Sequence, residues 1–219
     1  MDIDPSFRAD FEKVGRIWLR NAISAIDLDV LDRIAAIPSK AGQRLYPMPS
    51  LTGVLAPTSS LMQAICKIEP AAKPVRIVAF NKSQDANCGV PWHQDRVISV
   101  AEKADVAGYK NWTEKSGAWH CEPPQSILEK ILFVRVHLDK SDQSNGAMEI
   151  AVRSHKAEMI TDDRAASEAR KNPVEVCKAE RRDVLVLKTL TLHSSKPAVE
   201  TSGRRVSRID FYLLSCRIP

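Results

Sequence analysis

Cysteines, aromatic residues and long apolar runs are all sparse in this chain of 219 residues. The five cysteines (Cys66, Cys88, Cys121, Cys177 and Cys216) are odd in number, lie far apart and form no Cys-x-x-Cys pair. That excludes a disulfide framework and points to reduced thiols in the cytoplasm. No apolar run reaches the roughly 18 residues of a membrane-spanning helix, so no membrane span is expected. The start, Met1-Asp2-Ile3-Asp4-Pro5, lacks the basic-then-apolar layout of a secretory signal. Basic and aromatic residues form no common stripe. The net charge of +5 comes from Lys and Arg scattered among 27 acids. Nucleic acid is therefore not an expected partner, and a mildly basic surface or an anionic substrate fits better. There is no internal repeat, low-complexity segment or sign of a second domain. One domain over residues 1–219 is expected, and 44% hydrophobic residues suffice for its core.

Helical signals come first. Phe7, Phe11 and Val14 after Pro5 give a short helix that Gly15 can end, and residues 16–23 alternate as a strand. Ile26, Val30, Leu31, Ile34 and Ile37 stripe a helix over 24–37, which Pro38 stops. Residues 38–58, rich in proline, read as a loop, and 60–68 as a helix capped by a serine. From Lys73 the pattern becomes β, with strands over 75–80, 90–95, 131–138, 147–152, 184–192 and 206–214. Residues 96–130 form an unusually long connection holding Tyr109, Trp112 and Trp119, and its part over 96–121 is expected to cover the site as a lid. Residues 156–180 are charged and expected to be partly helical. Helices over 1–70 supporting a β core over 73–215, without regular alternation, predict a mainly antiparallel β fold with helices on one side.

The chemistry concentrates in Val90-Pro-Trp-His-Gln-Asp95. Residues i and i+2 of a strand share a face, so His93 and Asp95 can offer an imidazole and a carboxylate to one point. A second histidine would complete the 2-His-1-carboxylate face of non-haem Fe(II) oxygenases. His193, at the end of an apolar strand, is the best candidate. His137 sits inside a strand as a structural residue, His155 in a strand-end turn, and His120 in the long connection, where it can line a pocket. After His193 the chain runs through Ser194-Ser195 and a loop to Arg204-Arg205-Val206-Ser207-Arg208. A guanidinium there can grip a carboxylate through two parallel hydrogen bonds.

These stretches resemble the phytanoyl-CoA dioxygenase-like family of Fe(II)/2-oxoglutarate oxygenases. The resemblance extends to Val134-Arg-Val-His-Leu-Asp139, Asn145-Gly-Ala-Met-Glu-Ile150 with Ser154-His155, and Arg204 to Phe211, in order along nearly the whole chain. It implies a double-stranded β-helix (a cupin-like jelly roll) with Fe(II) on His93, Asp95 and His193. It also implies 2-oxoglutarate on the iron, salt-bridged by an arginine of the last strand, with O2 as co-reactant and a small-molecule substrate.

Arg204 stands eleven residues after His193, the spacing the resemblance associates with that role, whereas Arg205 gives an Arg-x-Ser pattern. Only one can face inward. Arg205 is preferred, with Ser207, Ile209 and Phe211 on its face, and Arg208 comes next if neither serves. Ser195 and Lys82 are further candidates for the cosubstrate pocket, and Trp92, Trp112, Trp119, His120 and Arg153 for the substrate pocket. Arg153 stands where the family commonly has glycine. An aspartate at 95 implies hydroxylation, with desaturation or epoxidation as other outcomes. Two other readings remain: a non-oxidative cupin-type metalloenzyme on the same ligands, and a binding protein of this fold without turnover.

Overall fold

The computed structural model describes residues 5–35, 43–44, 49–115, 117–200 and 203–213. In chain order these form α1 (Pro5–Val14), β1 (Arg16–Leu19), α2 (Ala25–Ala35), β2 (Gln43–Arg44), α3 (Ser60–Ile68), β3 (Ala72–Lys82) and β4 (Val90–His93). Next come β5 (Ile98–Val100), β6 (Lys110–Lys115), β7 (Ala118–Glu122), α4 (Gln125–Leu128), β8 (Ile131–His137) and β9 (Met148–Ala151). The last are α5 (Asp162–Ala169), β10 (Val174–Val176), β11 (Val184–Lys188), β12 (His193–Ser195) and β13 (Arg204–Leu213).

A six-stranded antiparallel sheet runs β1-β11-β8-β13-β3-β2, and a four-stranded sheet runs β10-β9-β12-β4. Together they make the double-stranded β-helix. Its strands alternate between two apolar environments. Leu132, Val134 and Val136 of β8, Ile77 and Ala79 of β3, and Ile209 and Phe211 of β13 face α2 and α3, where Leu28, Leu31, Leu61 and Ile65 complete the main core. Each of the larger of these side chains, fully buried, contributes about 1.5–3 kcal/mol. The opposite faces turn into the β-helix, where Phe133, Met148, Ile150, Leu185 and Leu187 pack together. Because β8 is buried along its whole length, its sequence reads as a continuous apolar run with only Arg135 and His137 interrupting it.

The helical layer is tied down by polar contacts. The Ser59 hydroxyl caps α3 by accepting from the Met62 N–H at 3.1 Å. Asp27 of α2, itself buried, accepts from the Ser60 N–H at 2.7 Å and so joins α2 to α3. Gly15 turns the chain from α1 into β1 with φ of +81°, and a Cβ there would lie 2.2 Å from His155 Nδ1. Both the backbone and the space therefore require glycine.

Residues 96–130 are not one irregular lid. They hold a three-stranded sheet, β5-β7-β6, followed by α4. β6 is exposed along most of its length, so it has no apolar alternation by which to be recognised. The charged stretch 156–180 contains α5 as expected but also β10, and β2 lies in the expected loop 38–58. The strand expected over 90–95 stops at His93, and that over 184–192 stops at Lys188. Pro38, Leu214 and Cys216 lie outside the described residues. Among the described residues no helix is long and apolar enough to cross a membrane.

Candidate metal centre

His93 closes β4 and His193 opens β12, and the two are direct cross-strand partners. Their rings therefore stand side by side, with centroids 4.3 Å apart and an interplanar angle of 53°. Nδ1 of His93 lies 2.8 Å from the Pro91 carbonyl, and Nδ1 of His193 lies 2.9 Å from the Thr191 carbonyl. A carbonyl only accepts, so both Nδ1 atoms carry a proton, which leaves Nε2 of each ring as the atom that can ligate a metal. Asp95 follows two residues after His93, and its Oδ2 is 3.3 Å from His193 Nε2. One donor atom of each residue lies within 4.8 Å of the other two. Two imidazole nitrogens and one carboxylate oxygen suit a divalent metal with an open coordination face. Burial lowers the pKa of His93, and neighbouring His193 lowers it further, which keeps the ring neutral as a ligand must be.

Between the ligands, Gln94 turns its amide away from the centre. Its Nε2 donates to Leu190 O at 2.9 Å, and its Oε1 accepts from the Ile160 N–H at 2.7 Å. This buried amide fixes the chain that carries His93 and Asp95.

Asp95 is also the end of a charged chain. Arg208 Nη1 donates to its Oδ2 at 2.7 Å, Arg208 Nε donates to Asp210 Oδ1 at 2.7 Å, and Arg76 Nε donates to Asp210 Oδ2 at 2.6 Å. The Arg208 guanidinium also lies 3.9 Å from the centroid of the Phe133 ring. Burial alone would raise the Asp95 pKa, but Arg208, and after it His193, hold it well below the usual carboxylate range.

A cavity of about 370 Å³ opens on one side of the triad. Lys82, Arg135, Arg204, Ser194 and Ser195 line it together with Phe80, Phe133 and Met148. A second, more open cavity lies on another side of His93 and Asp95, bounded by Arg76, Trp92, Arg96, Val97, Glu122 and Asp162. The triad thus sits between a cationic chamber and an open one.

The structure brings His93, Asp95, His193, Lys82, Ser195 and Arg204 to one cavity, with Trp92 at the other. Arg205, preferred from the sequence, points the opposite way. Its Nε donates to Asp139 Oδ2 at 2.8 Å and its Nη2 lies 3.2 Å from Asp32 Oδ1. Ile209 and Phe211 do share its face, but that face is the one covered by the helices. Trp112 and Trp119 sit on the small sheet, their ring centroids 6.5 Å apart, and line neither cavity. His120, on β7, is buried away from both. Arg153 is exposed in a left-handed turn with φ of +76°, its N–H donating to Val14 O.

Gln94 and Arg135 are not singled out by the sequence, and Arg208, the third candidate for the cosubstrate arginine, instead meets Asp95. Only the alternation of β8 and β13, anchored to Phe133 and Arg204, could have placed the two arginines on the inner face.

No sequence among curated proteins matches the chain. Solved structures share the fold at low identity. The iron-bound crystal structure of EctD from S. alaskensis is 14% identical over 99% of this chain and 79% of that one, with a TM-score of 0.69. HygX from Streptomyces hygroscopicus, with nickel and 2-oxoglutarate bound, is 12% identical over 96% of this chain and 87% of its own, with a TM-score of 0.62. AviO1 from Streptomyces viridochromogenes Tue57 is 16% identical over 100% and 99% of the two chains, with a TM-score of 0.63. The profile of the phytanoyl-CoA dioxygenase (PhyH) family matches residues 7–206, and the chain belongs to that family.

Proposed function

We propose that the protein is a cytoplasmic, single-domain Fe(II)- and 2-oxoglutarate-dependent dioxygenase that hydroxylates a small molecule with O2. The observation that carries this is the alignment of His93 Nε2, Asp95 and His193 Nε2 on the rim of a cavity in which Arg204 faces inward. Family membership and the iron and 2-oxoglutarate seen in proteins of the same fold support it. The four described cysteines form no disulfide, in keeping with a reducing setting.

His93, Asp95 and His193 hold the metal in this proposal. Bound iron supplies the activation of dioxygen coupled to oxidative decarboxylation of 2-oxoglutarate to succinate and CO2. The chain itself orients, neutralises and excludes water. The backbone carbonyls of Pro91 and Thr191 fix both imidazole planes, and Arg208 holds the Asp95 carboxylate in place. Arg204 binds the far carboxylate of the cosubstrate, with the Ser195 hydroxyl as a further donor. Lys82 Nζ donates to Cys88 O and Lys196 O, at 3.1 and 2.6 Å, and adds positive charge to the same wall. Phe133 and Met148 keep the chamber dry. The open cavity bounded by Arg76, Trp92 and Arg96 receives the substrate.

The test is anaerobic titration of metal-free protein with Fe(II) and then 2-oxoglutarate, followed through the weak visible charge-transfer band of the chelate. The band is expected in the wild type and absent in His93→Ala and Asp95→Ala. Iron binding without a band would favour non-oxidative metal chemistry, and no iron binding would overturn the triad.

A further inference from the structure

Arg135 stands midway along β8, a central strand of the large sheet, with its side chain turned into the cationic chamber. It is 7% exposed, and its guanidinium lies 5.7 Å from the Phe80 ring and 5.8 Å from the Phe133 ring. Among the described residues it has no hydrogen-bond or ion-pair partner, and its Nε is enclosed without an acceptor. A guanidinium in that state is costly, because its enclosed Nε–H finds no acceptor and the rest of its fork opens only into the chamber. Burial lowers its pKa to about 9, and the charge that presses on it most is that of Arg204.

Arg204 is itself only partly free. Its Nε donates to Asn145 O at 3.1 Å and its Nη2 to Gly146 O at 3.0 Å, which leaves Nη1 buried without a partner. A carboxylate has two oxygens with about four acceptor sites, more than one committed guanidinium can fill. Lys82, Arg135 and Arg204 thus face one chamber, and among the described residues none has a carboxylate partner. Elsewhere near the triad the charges are matched: Arg208 and Arg76 meet Asp210, and Arg96 meets Asp162. The unmatched positive charge therefore lies on the chamber side of the metal ligands, away from the open cavity.

We propose that Arg135 is a second anion-binding residue of the chamber, closing with Arg204 on the far carboxylate of the 2-oxo acid and selecting a 2-oxo dicarboxylate over a 2-oxo monocarboxylate. This rests on the oxygenase reading above. The metal takes the 2-oxo carboxylate end. Arg204 gives the far carboxylate its remaining nitrogen, and Arg135 gives it an uncommitted fork. An acid lacking the far carboxylate leaves both guanidiniums buried and unpaired, which is the strongest form of rejection a polar site offers.

The experiment is calorimetric binding of 2-oxoglutarate and of 2-oxobutyrate to the Co(II)-loaded protein, comparing wild type with Arg135→Met, Arg135→Lys and Arg204→Met. Thermal shift of the metal-free protein with glutarate, which has no oxo group, runs alongside. Arg135→Met is expected to weaken 2-oxoglutarate roughly 10- to 100-fold and to leave 2-oxobutyrate, weakly bound by the wild type, as tight or tighter. Arg135→Lys should recover part of the loss, and glutarate should stabilise the wild type more than Arg135→Met. Retained or tighter 2-oxobutyrate binding also shows that the variant is folded. If Arg135→Met binds 2-oxoglutarate as the wild type does while Arg204→Met does not, Arg135 has no part in the clamp, although the oxygenase reading survives. Equal loss of both acids would make Arg135 structural and overturn the proposal. A wild type that binds neither acid would overturn the oxygenase reading itself.

Discussion

Replacing Arg208 with methionine should destabilise the metal-free protein far more than the metal-loaded one. Arg208 makes three charge-assisted hydrogen bonds, at 2.7 Å to Asp95, and at 2.7 and 3.3 Å to Asp210, and stacks on Phe133. Arg208 and Asp210 are 6% and 5% exposed, so their removal from water is nearly complete. Breaking a buried pair by deleting one partner costs about 3–5 kcal/mol. Here the lower end applies, because Asp210 keeps Arg76 at 2.6 Å and Asp95 keeps His193 at 3.3 Å. Methionine retains most of the packing on Phe133. In a chain of this size each kcal/mol moves Tm by about 2–4 °C, so a fall of roughly 6–12 °C is expected in chelator-treated protein. A divalent metal on Asp95 replaces the lost positive charge, and saturating Co(II) should recover about half of the fall or more. Differential scanning fluorimetry with and without metal reads both quantities. A metal-free Tm equal to that of the wild type, or a loss that Co(II) leaves untouched, would refute the view that Arg208 serves as the counter-charge of Asp95.

Other substitutions separate the neighbouring roles. Arg204→Leu should raise the 2-oxoglutarate requirement at least tenfold, whereas Arg205→Leu should leave it unchanged and lower stability by about 1–3 kcal/mol through loss of Asp139 and Asp32; steady-state succinate release and urea unfolding distinguish the two. Gly15→Ala should cost about 2–3 kcal/mol, from a strained left-handed backbone and the overlap with His155, and adding His155→Ala should recover the overlap but not the strain. Asp183 accepts from Arg20 at 2.6 Å and from the Asn21 and Glu180 N–H groups at 2.8 and 3.0 Å. Burial alone would raise its pKa, but these donors lower it. Its contribution is therefore present above an unfolded pKa of about 4 and lost as pH falls through the lower folded value. The difference in urea midpoint between wild type and Asp183→Asn should shrink from pH 7 to pH 3, and a constant difference would remove Asp183 from the acid response.

Much of the fold was legible because its signals are apolar. The stripes of α2 and α3 and the runs of β3, β8, β11 and β13 mark the main core, and each lies within a few residues of its expected place. The small sheet β5-β7-β6 was not legible, because a sheet with one face in water and few apolar residues has little periodicity to detect. The grouping of the triad was legible because His93 and Asp95 stand two apart in sequence and His193 follows an apolar run, although it opens β12 rather than ending β11. Asp95 lies past the end of β4, yet it still reaches the centre, because Gln94 holds the backbone there.

The choice between Arg204 and Arg205 turns on which layer receives the apolar face of β13. Grouping Arg205 with Ser207, Ile209 and Phe211 is right as alternation. The inference that an apolar face must line the pocket is where it goes astray. A sheet covered by helices spends its apolar face on them. The inner face of β13 is left to Arg204, Val206, Arg208 and Asp210, of which three are charged. Across the register Arg208 stands opposite Arg135, and Arg204 opposite Lys82. Beside the apolar cluster of the inner face, β13, β8 and β3 therefore place Arg204, Arg135 and Lys82 without a carboxylate partner among the described residues, while Arg208 is met by Asp95 and Asp210. On the proposed reading, a metal would answer Asp95 and a dicarboxylate would answer Arg204 and Arg135, and the two together would match these charges better than either alone. It follows that the two should bind with positive cooperativity. Co(II) should tighten glutarate less than it tightens 2-oxoglutarate, since only the oxo acid bridges the metal and the arginines. Equal tightening of the two acids would mean that charge alone, without chelation, fills the chamber.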